Sequence, residues 1–327
     1  MDHLDLLNRW QHGFPLVPAP FDCIARQAGC SESAVIAAYR DAALGGSLSR
    51  IGGVWAAGAG GAALLCALAV PALRLDEVAA CVDALPGVNH NYEREHRWNL
   101  WFVITGRDAN VLRTRLDALE LAVGLRTLRL PMQRVYRIDL GFDLRQGHAP
   151  AARALSRQGV PHVAPADAPL AALVEDGLPL VVRPFAVWAA RTGSPEACVL
   201  QTLERWVEQG TLRRFGVIVR HHELGFDQNA MTVFDVPDAD VDAHGAALAR
   251  QPGVTLCYRR ARAEGWPFNL YCMVHGRERA VVRERIAEAA SAAGLGRHRH
   301  EVLFSRRRFK QQGASYFRSA EVQRVPA

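Results

Sequence analysis

The 327-residue chain has no C-x-x-C pair, and its seven cysteines (Cys23, Cys30, Cys66, Cys81, Cys198, Cys257, Cys272) are odd in number. That argues against a disulfide frame and a thiolate zinc site, and points to a reducing, cytoplasmic setting. G-x-S-x-G, P-loop and H-E-x-x-H motifs are absent, as is a G-x-G-x-x-G after a strand. Nucleotide-dependent and hydrolytic chemistry therefore lack support. The start, MDHLDLLNRWQHG, has neither the basic region nor the apolar core of a signal peptide. From Ile51 to Leu73 there is no charge, about the ~20 residues of a membrane helix. Five glycines (Gly52, Gly53, Gly58, Gly60, Gly61) and Pro71 argue against a helix there. The run reads as strands around a glycine turn, and no membrane partner is expected.

What is present is half apolar, about a fifth charged, and carries a net charge of +6. The modest basic balance suits an anionic partner: nucleic acid, an acidic membrane surface or a polycarboxylate. The length suggests two domains, and self-similarity says how they arise. GGSLSRIGGVW (45–55) aligns with QGTLRRFGVIV (209–219), and PFDCIARQAGCSESAVI (20–36) with PFAVWAARTGSPEACVL (184–200). VPALRLDEVAACVDALPGV (70–88) aligns with VPDADVDAHGAALARQPGV (236–254), and NLWFVITGRD (99–108) with NLYCMVHGRE (269–278). The order is kept while the offset grows, as expected of a duplicated unit with small insertions.

Each half reads as helix, glycine turn, helix and a β-rich segment, resembling a winged helix-turn-helix. Ser31 and Ser194 are expected N-caps, with Glu32 and Glu196 just inside the helices. A β-α-β-β-α-β order follows, the ferredoxin-like split βαβ unit. Its strands are expected near 62–70, 88–94, 98–105 and 127–136, and near 229–236, 254–262, 268–275 and 300–309. The first of its helices carries apolar spacing at Val78, Cys81, Val82 and Leu85, and the second starts after Asp108 or Glu278. The expected class is α+β, a tandem repeat of winged helix-turn-helix plus ferredoxin-like domain. The boundaries are 1–55 and 56–146, a linker at 147–167, then 168–225 and 226–327. The second helix of each helix-turn-helix, SESAVIAAYRDAA and SPEACVLQTLERWVEQ, is poor in cations. No DNA partner is expected from such helices.

VNHNYEREHRWNLW (88–101) concentrates the titratable chemistry. Strand alternation puts His90, Tyr92 and Arg94 on one face, and Asn89, Asn91 and Glu93 on the other. Arg94 can grip a carboxylate bidentately and His90 can supply a proton. His96 and Arg97 sit at the tip, while Trp98, Trp101 and Trp266 offer flat apolar area. The second half keeps Tyr258 and Arg260, adds Arg259 and Arg262, and has Leu256 where the first has His90. His221 and His222 read as surface. Of the basic end RHRHEVLFSRRRFKQQGASYF, alternation directs part inward together with Phe304 and Phe309.

HNYEREHRWNLWF, RVYRIDLGFDL and SRRRFKQQGASYF resemble the siroheme decarboxylases, in the arrangement of fused D and L subunits, over nearly the whole chain. The resemblance implies the fold of Lrp/AsnC regulators, with the halves paired as a pseudo-dimer and a homodimer left open. It implies an enzyme, a carboxy-lyase of heme d1 (porphyrin) biosynthesis. This removes CO₂ from the C12 and C18 acetates of siroheme, an iron tetrapyrrole, to give 12,18-didecarboxysiroheme. No cofactor beyond the substrate's iron is expected. His90 is then assigned as general acid, His96 as second donor or iron contact, and Tyr92 as orienting group. Arg94, Arg97, Arg259, Arg260 and Arg262 would anchor the retained carboxylates, with Trp98, Tyr258 and Trp266 against the macrocycle. A tetrapyrrole-responsive transcription regulator is the alternative. A subunit that needs G- and H-type partners is a third reading.

Overall fold

The structure, a computed structural model, describes residues 3–138, 141, 144–145 and 160–317. The first half runs α1 (His3–Arg9), α2 (Pro20–Ala28), α3 (Glu32–Leu44), β1 (Leu48–Trp55), β2 (Ala62–Leu68), α4 (Leu75–Ala84), β3 (Val88–Arg94), β4 (Leu100–Gly106), α5 (Ala109–Val123) and β5 (Leu128–Ile138). The second runs α6 (Ala168–Asp176), α7 (Pro184–Thr192), α8 (Glu196–Glu208), β6 (Leu212–Val219), β7 (Gln228–Phe234), α9 (Val241–Ala249), β8 (Val254–Arg260), β9 (Leu270–Gly276), α10 (Arg279–Ala292) and β10 (His300–Gln311). The repeat is thus a repeat of elements. Most of the expected linker, residues 147–159, lies outside the described residues, and Pro165–Asp167 forms a single 3₁₀ turn.

Contacts divide the chain into two compact units. One gathers Met1–Gly60, Gln158–Gly225 and Phe317–Ala327, and so holds the helix-turn-helix segments of both halves. There α2 stops at Gly29, whose φ of 64° suits a residue without Cβ. Ser31 caps α3 by accepting from the Ala34 N–H at 3.2 Å. Ser194 does not play that part in the second half. Pro195, with its φ held near −60°, occupies the N-cap position of α8, one residue later. The wing strands β1 and β6 pair with each other, antiparallel, with Gly52 opposite Gly216.

The other unit comprises Gly61–Arg157 and Phe226–Tyr316. Its strands close into a barrel in the order β10-β3-β4-β2-β5-β8-β9-β7. The last strand of each half makes the closure. β5 pairs with β2 through Leu128–Pro131 and then with β8 through Met132–Ile138. β10 pairs with β7 over His300–Phe304 and then with β3 over Ser305–Gln311. Period-two alternation sorts the side chains into outer and inner sets. Outside, α4 and α5 cover one sheet through Val78, Val82, Leu112 and Leu116. α9 and α10 cover the other through Val241, Leu248, Val282 and Ile286. Cys81 is exposed rather than part of this stripe, which Leu75 and Ala79 complete. Inside, Trp101, Trp266, Phe268, Tyr271, Leu65 and Leu303 form a third core. Each such large side chain is worth ~1.5–3 kcal/mol of burial.

Candidate functional site

The inner face of β3 carries His90, Tyr92 and Arg94. His90 stands opposite Val103 and Tyr92 opposite Trp101, both on the lumen side of β4. The His90 and Tyr92 rings stack at 6.2 Å, and the Arg94 guanidinium lies 5.7 Å from the Tyr92 ring. Asn91 points the other way, to Ala79 O and Asp83 of α4, and Glu93 pairs with Arg307. The split of faces expected from alternation holds for Asn91 and Glu93 but not for Asn89: the register slips between Val88 and His90, and this bulge turns Asn89 to the side of His90 and Thr105.

Local structure orients His90. Its Nδ1 lies 2.7 Å from Asn89 Oδ1, an atom that only accepts, so Nδ1 carries the hydrogen. Asn89 in turn donates to Thr105 Oγ1 at 3.3 Å, and that hydroxyl contacts the carbonyls of Gly87 and Ser315. Gly87 has φ of 89°, and a Cβ there would meet Thr105 O at 2.1 Å, so the turn that sets this chain of bonds requires glycine. In this tautomer Nε2 carries the lone pair. Burial, reinforced by the charge of Arg94, pushes the His90 pKa down to about 4, and burial lowers Arg94 to about 10.

Neighbouring strands extend this wall. Ser305, Arg308 and Gln311 of β10 stand opposite Arg94, Tyr92 and His90. Ser305 Oγ bonds Asn229 Oδ1 of β7 at 3.0 Å, and Asn229 stands opposite His275 of β9. His275 Nδ1 lies 3.1 Å from Thr255 Oγ1, whose own hydrogen goes to Met273 O at 3.2 Å. Burial and Arg94 push the His275 pKa down to about 4 as well. His90, Tyr92, His275, Asn229, Ser305 and Arg308 are all half-buried, so solvent reaches this stretch of the wall.

The equivalent positions across the lumen are mostly apolar. Tyr258 and Arg260 repeat Tyr92 and Arg94, again as a cation over a ring, at 5.2 Å. Opposite them stand Val135 and Met132, and Leu256 pairs with Ile138. Ala63 and Thr105 fill the places of Asn229 and His275. One wall carries imidazoles and cations; its counterpart keeps only the tyrosine–arginine pair.

The remaining expected residues are placed elsewhere. His96 is closed off at both nitrogens: Nδ1 accepts from Trp98 N at 3.0 Å, and Nε2 pairs with Glu301 at 2.7 Å. Arg97 is exposed and bonds Gly265 O. Arg259 pairs with Asp238 and Asp242, and Arg262 with Asp235 and Asp238, all on the outer side. Trp98 packs against the inner core, while Trp266 is fully buried in it and donates to Tyr271 Oη at 2.6 Å. Phe304 and Phe309 pack outward under the helices rather than inward, and of the basic end it is Arg308 that joins the wall. Arg308 belongs to the basic end that alternation directs partly inward, whereas His275 is not singled out by the sequence. The signal for His275 was available: alternation in LYCMVHG puts it on one face with Tyr271 and Met273.

A cleft of about 220 Å³ lies at the β3–β4 turn, lined by Glu93, Arg94, Glu95, His96 and Arg306. It is below the usual ~300–1,000 Å³ of small-molecule sites, and its carboxylates would repel a polyanion. The lumen wall is the better candidate.

Family comparisons agree with this architecture. Residues 59–137 and 223–310 match the AsnC-like ligand binding domain. Residues 4–42 and 167–213 match the siroheme decarboxylase NirDL-like HTH domain. The chain is 44% identical over 319 residues to the siroheme decarboxylase NirDL subunit of Paracoccus denitrificans, covering 96% of this chain and 98% of that one. The chain belongs to the siroheme decarboxylase NirDL family. A siroheme decarboxylase of Hydrogenobacter thermophilus is 30% identical, over 95% of this chain and 94% of that one. The crystal structure of a siroheme decarboxylase NirDL in complex with an iron-uroporphyrin III analogue superposes with a TM-score of 0.68 at 26% identity, over 97% and 95% of the two chains. The family read from HNYEREHRWNLWF is thereby confirmed, and with it an α+β fold of Lrp/AsnC-like helix-turn-helix and ligand-binding domains. All seven cysteines are free, and among the described residues no helix is long and apolar enough to cross a membrane.

Proposed function

We propose that this chain is a cytoplasmic siroheme decarboxylase that converts the C12 and C18 acetates of siroheme to methyl groups in heme d1 biosynthesis. The reading rests on its named relatives and on one observation: a half-buried lumen wall with imidazole, phenol and guanidinium groups above an aromatic floor. A macrocycle with eight carboxylates needs both an apolar bed and cations. No cofactor beyond the substrate's iron enters the reading. We read the architecture as two winged helix-turn-helix plus ferredoxin-like halves, 1–55 with 56–146 and 168–225 with 226–327, joined as a pseudo-dimer by β5 and β10.

In this reading His90 is the general acid. Loss of CO₂ leaves carbanion character on the side chain, and a proton from Nε2 completes the methyl group. Along β3, Arg94 lies four residues away, about 13 Å at strand rise. It can hold a retained carboxylate while the reacting one sits by the imidazole, away from stabilising charge. A substrate carboxylate beside His90 opposes the effect of Arg94 and raises the imidazole's pKa, so the acid form is favoured once substrate is bound. Tyr92, stacked between the two, keeps them apart and aligned.

The helix-turn-helix unit does not favour the regulator reading. Arg40 of α3 is bonded to Leu180 O, and Arg205 of α8 to Asp167. Anaerobic incubation of the purified chain with siroheme, read by mass spectrometry, should show two losses of CO₂. Loss only after adding a partner subunit, or none at all, would overturn the reading.

A further inference from the structure

The duplication raises a question about stoichiometry. Two acetates react, yet the strand equivalent to β3 has Leu256 in place of His90. The wall holds a second imidazole all the same, three strands away. His275 reaches it along a continuous line of lumen-facing groups: Arg94, Ser305 opposite it, Asn229 bonded to Ser305, and His275 opposite Asn229. The two rings are prepared alike. Each Nδ1–H is held by a neutral oxygen, Asn89 Oδ1 or Thr255 Oγ1, and each of those side chains is anchored by a further hydrogen bond.

The two arrangements are related by an exchange of positions. Asn89 and Thr255 are equivalent, as are Thr105 and His275. In the first half the orienting pair is Asn89–Thr105 and the imidazole stands next door on β3. In the second half the imidazole takes the place of that threonine on β9. A structural histidine needs no such copy of the arrangement, and a strand in an apolar barrel needs no imidazole at all. In a closed barrel, both rings flank the wall on which Arg94 would hold a bound macrocycle.

We propose that His275 is a second proton donor, serving one acetate of siroheme while His90 serves the other. The proposal rests on the siroheme reading above. At each site the C–C bond to the carboxylate breaks, CO₂ leaves, and the remaining carbon takes the imidazolium proton. The neutral imidazole is then reprotonated from solvent through the open lumen, with no net redox change. The apolar wall of Leu256, Val135, Met132 and Ile138 acts as the backing against which the macrocycle's other edge rests.

The test compares wild type, His90→Ala, His275→Ala, His275→Gln and the double alanine variant, under anaerobic turnover with siroheme. Wild type should lose two CO₂. Each single alanine variant should stop after one, with the remaining step slowed about 10²–10⁴-fold. The two stalled products should be different isomers, told apart by NMR of the ring methyl groups. The double variant should release none. His275→Gln, whose amide can bond Thr255 but cannot deliver the proton, should behave as His275→Ala and covers the case in which alanine fails to fold. Two losses at the wild-type rate from His275→Gln overturn the assignment. So does one and the same isomer from both histidine variants, or loss of both steps in His275→Gln. If wild type itself releases no CO₂, the siroheme reading fails instead, and the two failures are distinct.

Discussion

At the residue scale, the duplicated tyrosine–arginine pair has a structural duty alongside any role with substrate. Arg94 donates to Leu303 O and Arg260 to Leu130 O, each at 2.9 Å. Both carbonyls sit where a closing strand passes from one sheet to the other, β10 near Leu303 and β5 near Leu130. The arginines therefore fasten the two seams of the barrel, which explains their survival in both halves while His90 was not duplicated. Among the described residues, neither buried Nε has a hydrogen-bond partner. The two roles separate by mutation. Arg94→Gln and Arg260→Gln should each cost ~1–3 kcal/mol in denaturant unfolding, the cost of a buried acceptor left unpaired. Only Arg94→Gln, on the imidazole-bearing wall, should also raise the KM for siroheme. An equal rise in both would mean that the apolar wall grips substrate too.

At the element scale, the alignment of the two halves made most strands and helices legible, because each element was read twice. The pairing between halves was not. Period-two alternation says which face of β5 is buried, not that β5 leaves β2 at Pro131 to join β8. The outward packing of Phe309 and Tyr136 follows from that change of partner. The second imidazole was illegible for a related reason: the strand equivalent to β3 offers Leu256, whereas closure of the barrel brings β9 to the same wall. Ser194 misses the expected cap by one residue because the proline that follows it holds the N-cap position itself. The β5–α9 contact can be tested directly. A Cβ on Gly245 would stand 2.3 Å from the Tyr136 ring, which bonds Asp242. Gly245→Ala should gain the ~1 kcal/mol of better helix propensity and lose more by overpacking, ~1–3 kcal/mol. The expected outcome is a net destabilisation, measured by urea unfolding, that Tyr136→Leu partly relieves. A stabilised Gly245→Ala would show that the ring moves freely.

At the scale of the whole molecule, the lumen imidazoles make stability depend on pH. His90 and His275 both fall to about 4 in the folded chain, chiefly through burial, with Arg94 adding to it. Unfolded, each titrates near ~6.5. Between those values the unfolded chain binds more protons, so stability rises with pH and is lost as pH drops from about 6.5 towards 4. Above about 6.5 both forms are neutral and the contribution is constant. Full burial would make each imidazole worth ~3 kcal/mol across the window; the open lumen, where water reaches both rings, lowers this to ~1–2 kcal/mol. His96 is shifted the same way by burial, opposed by Glu301, and adds a residual slope. Glu95, lowered by its bond from Arg279, and Asp238, lowered by its bond from Arg262, act in a separate window below about 4.5, where they lose their charge. Urea unfolding at intervals from pH 7.5 to 4.5 should therefore show a falling midpoint below 6.5. The double variant His90→Gln/His275→Gln should be nearly flat there apart from the slope left by His96, while keeping the acid limb. An unchanged slope in the double variant would mean that other groups carry the pH dependence and that the two rings keep their ordinary pKa in the folded chain. Siroheme should reverse the effect in the wild-type chain. Its carboxylates favour the imidazolium, so binding takes up protons near pH 6, measurable as a buffer-dependent heat in calorimetry, and the substrate-loaded protein loses less stability on acidification than the free one.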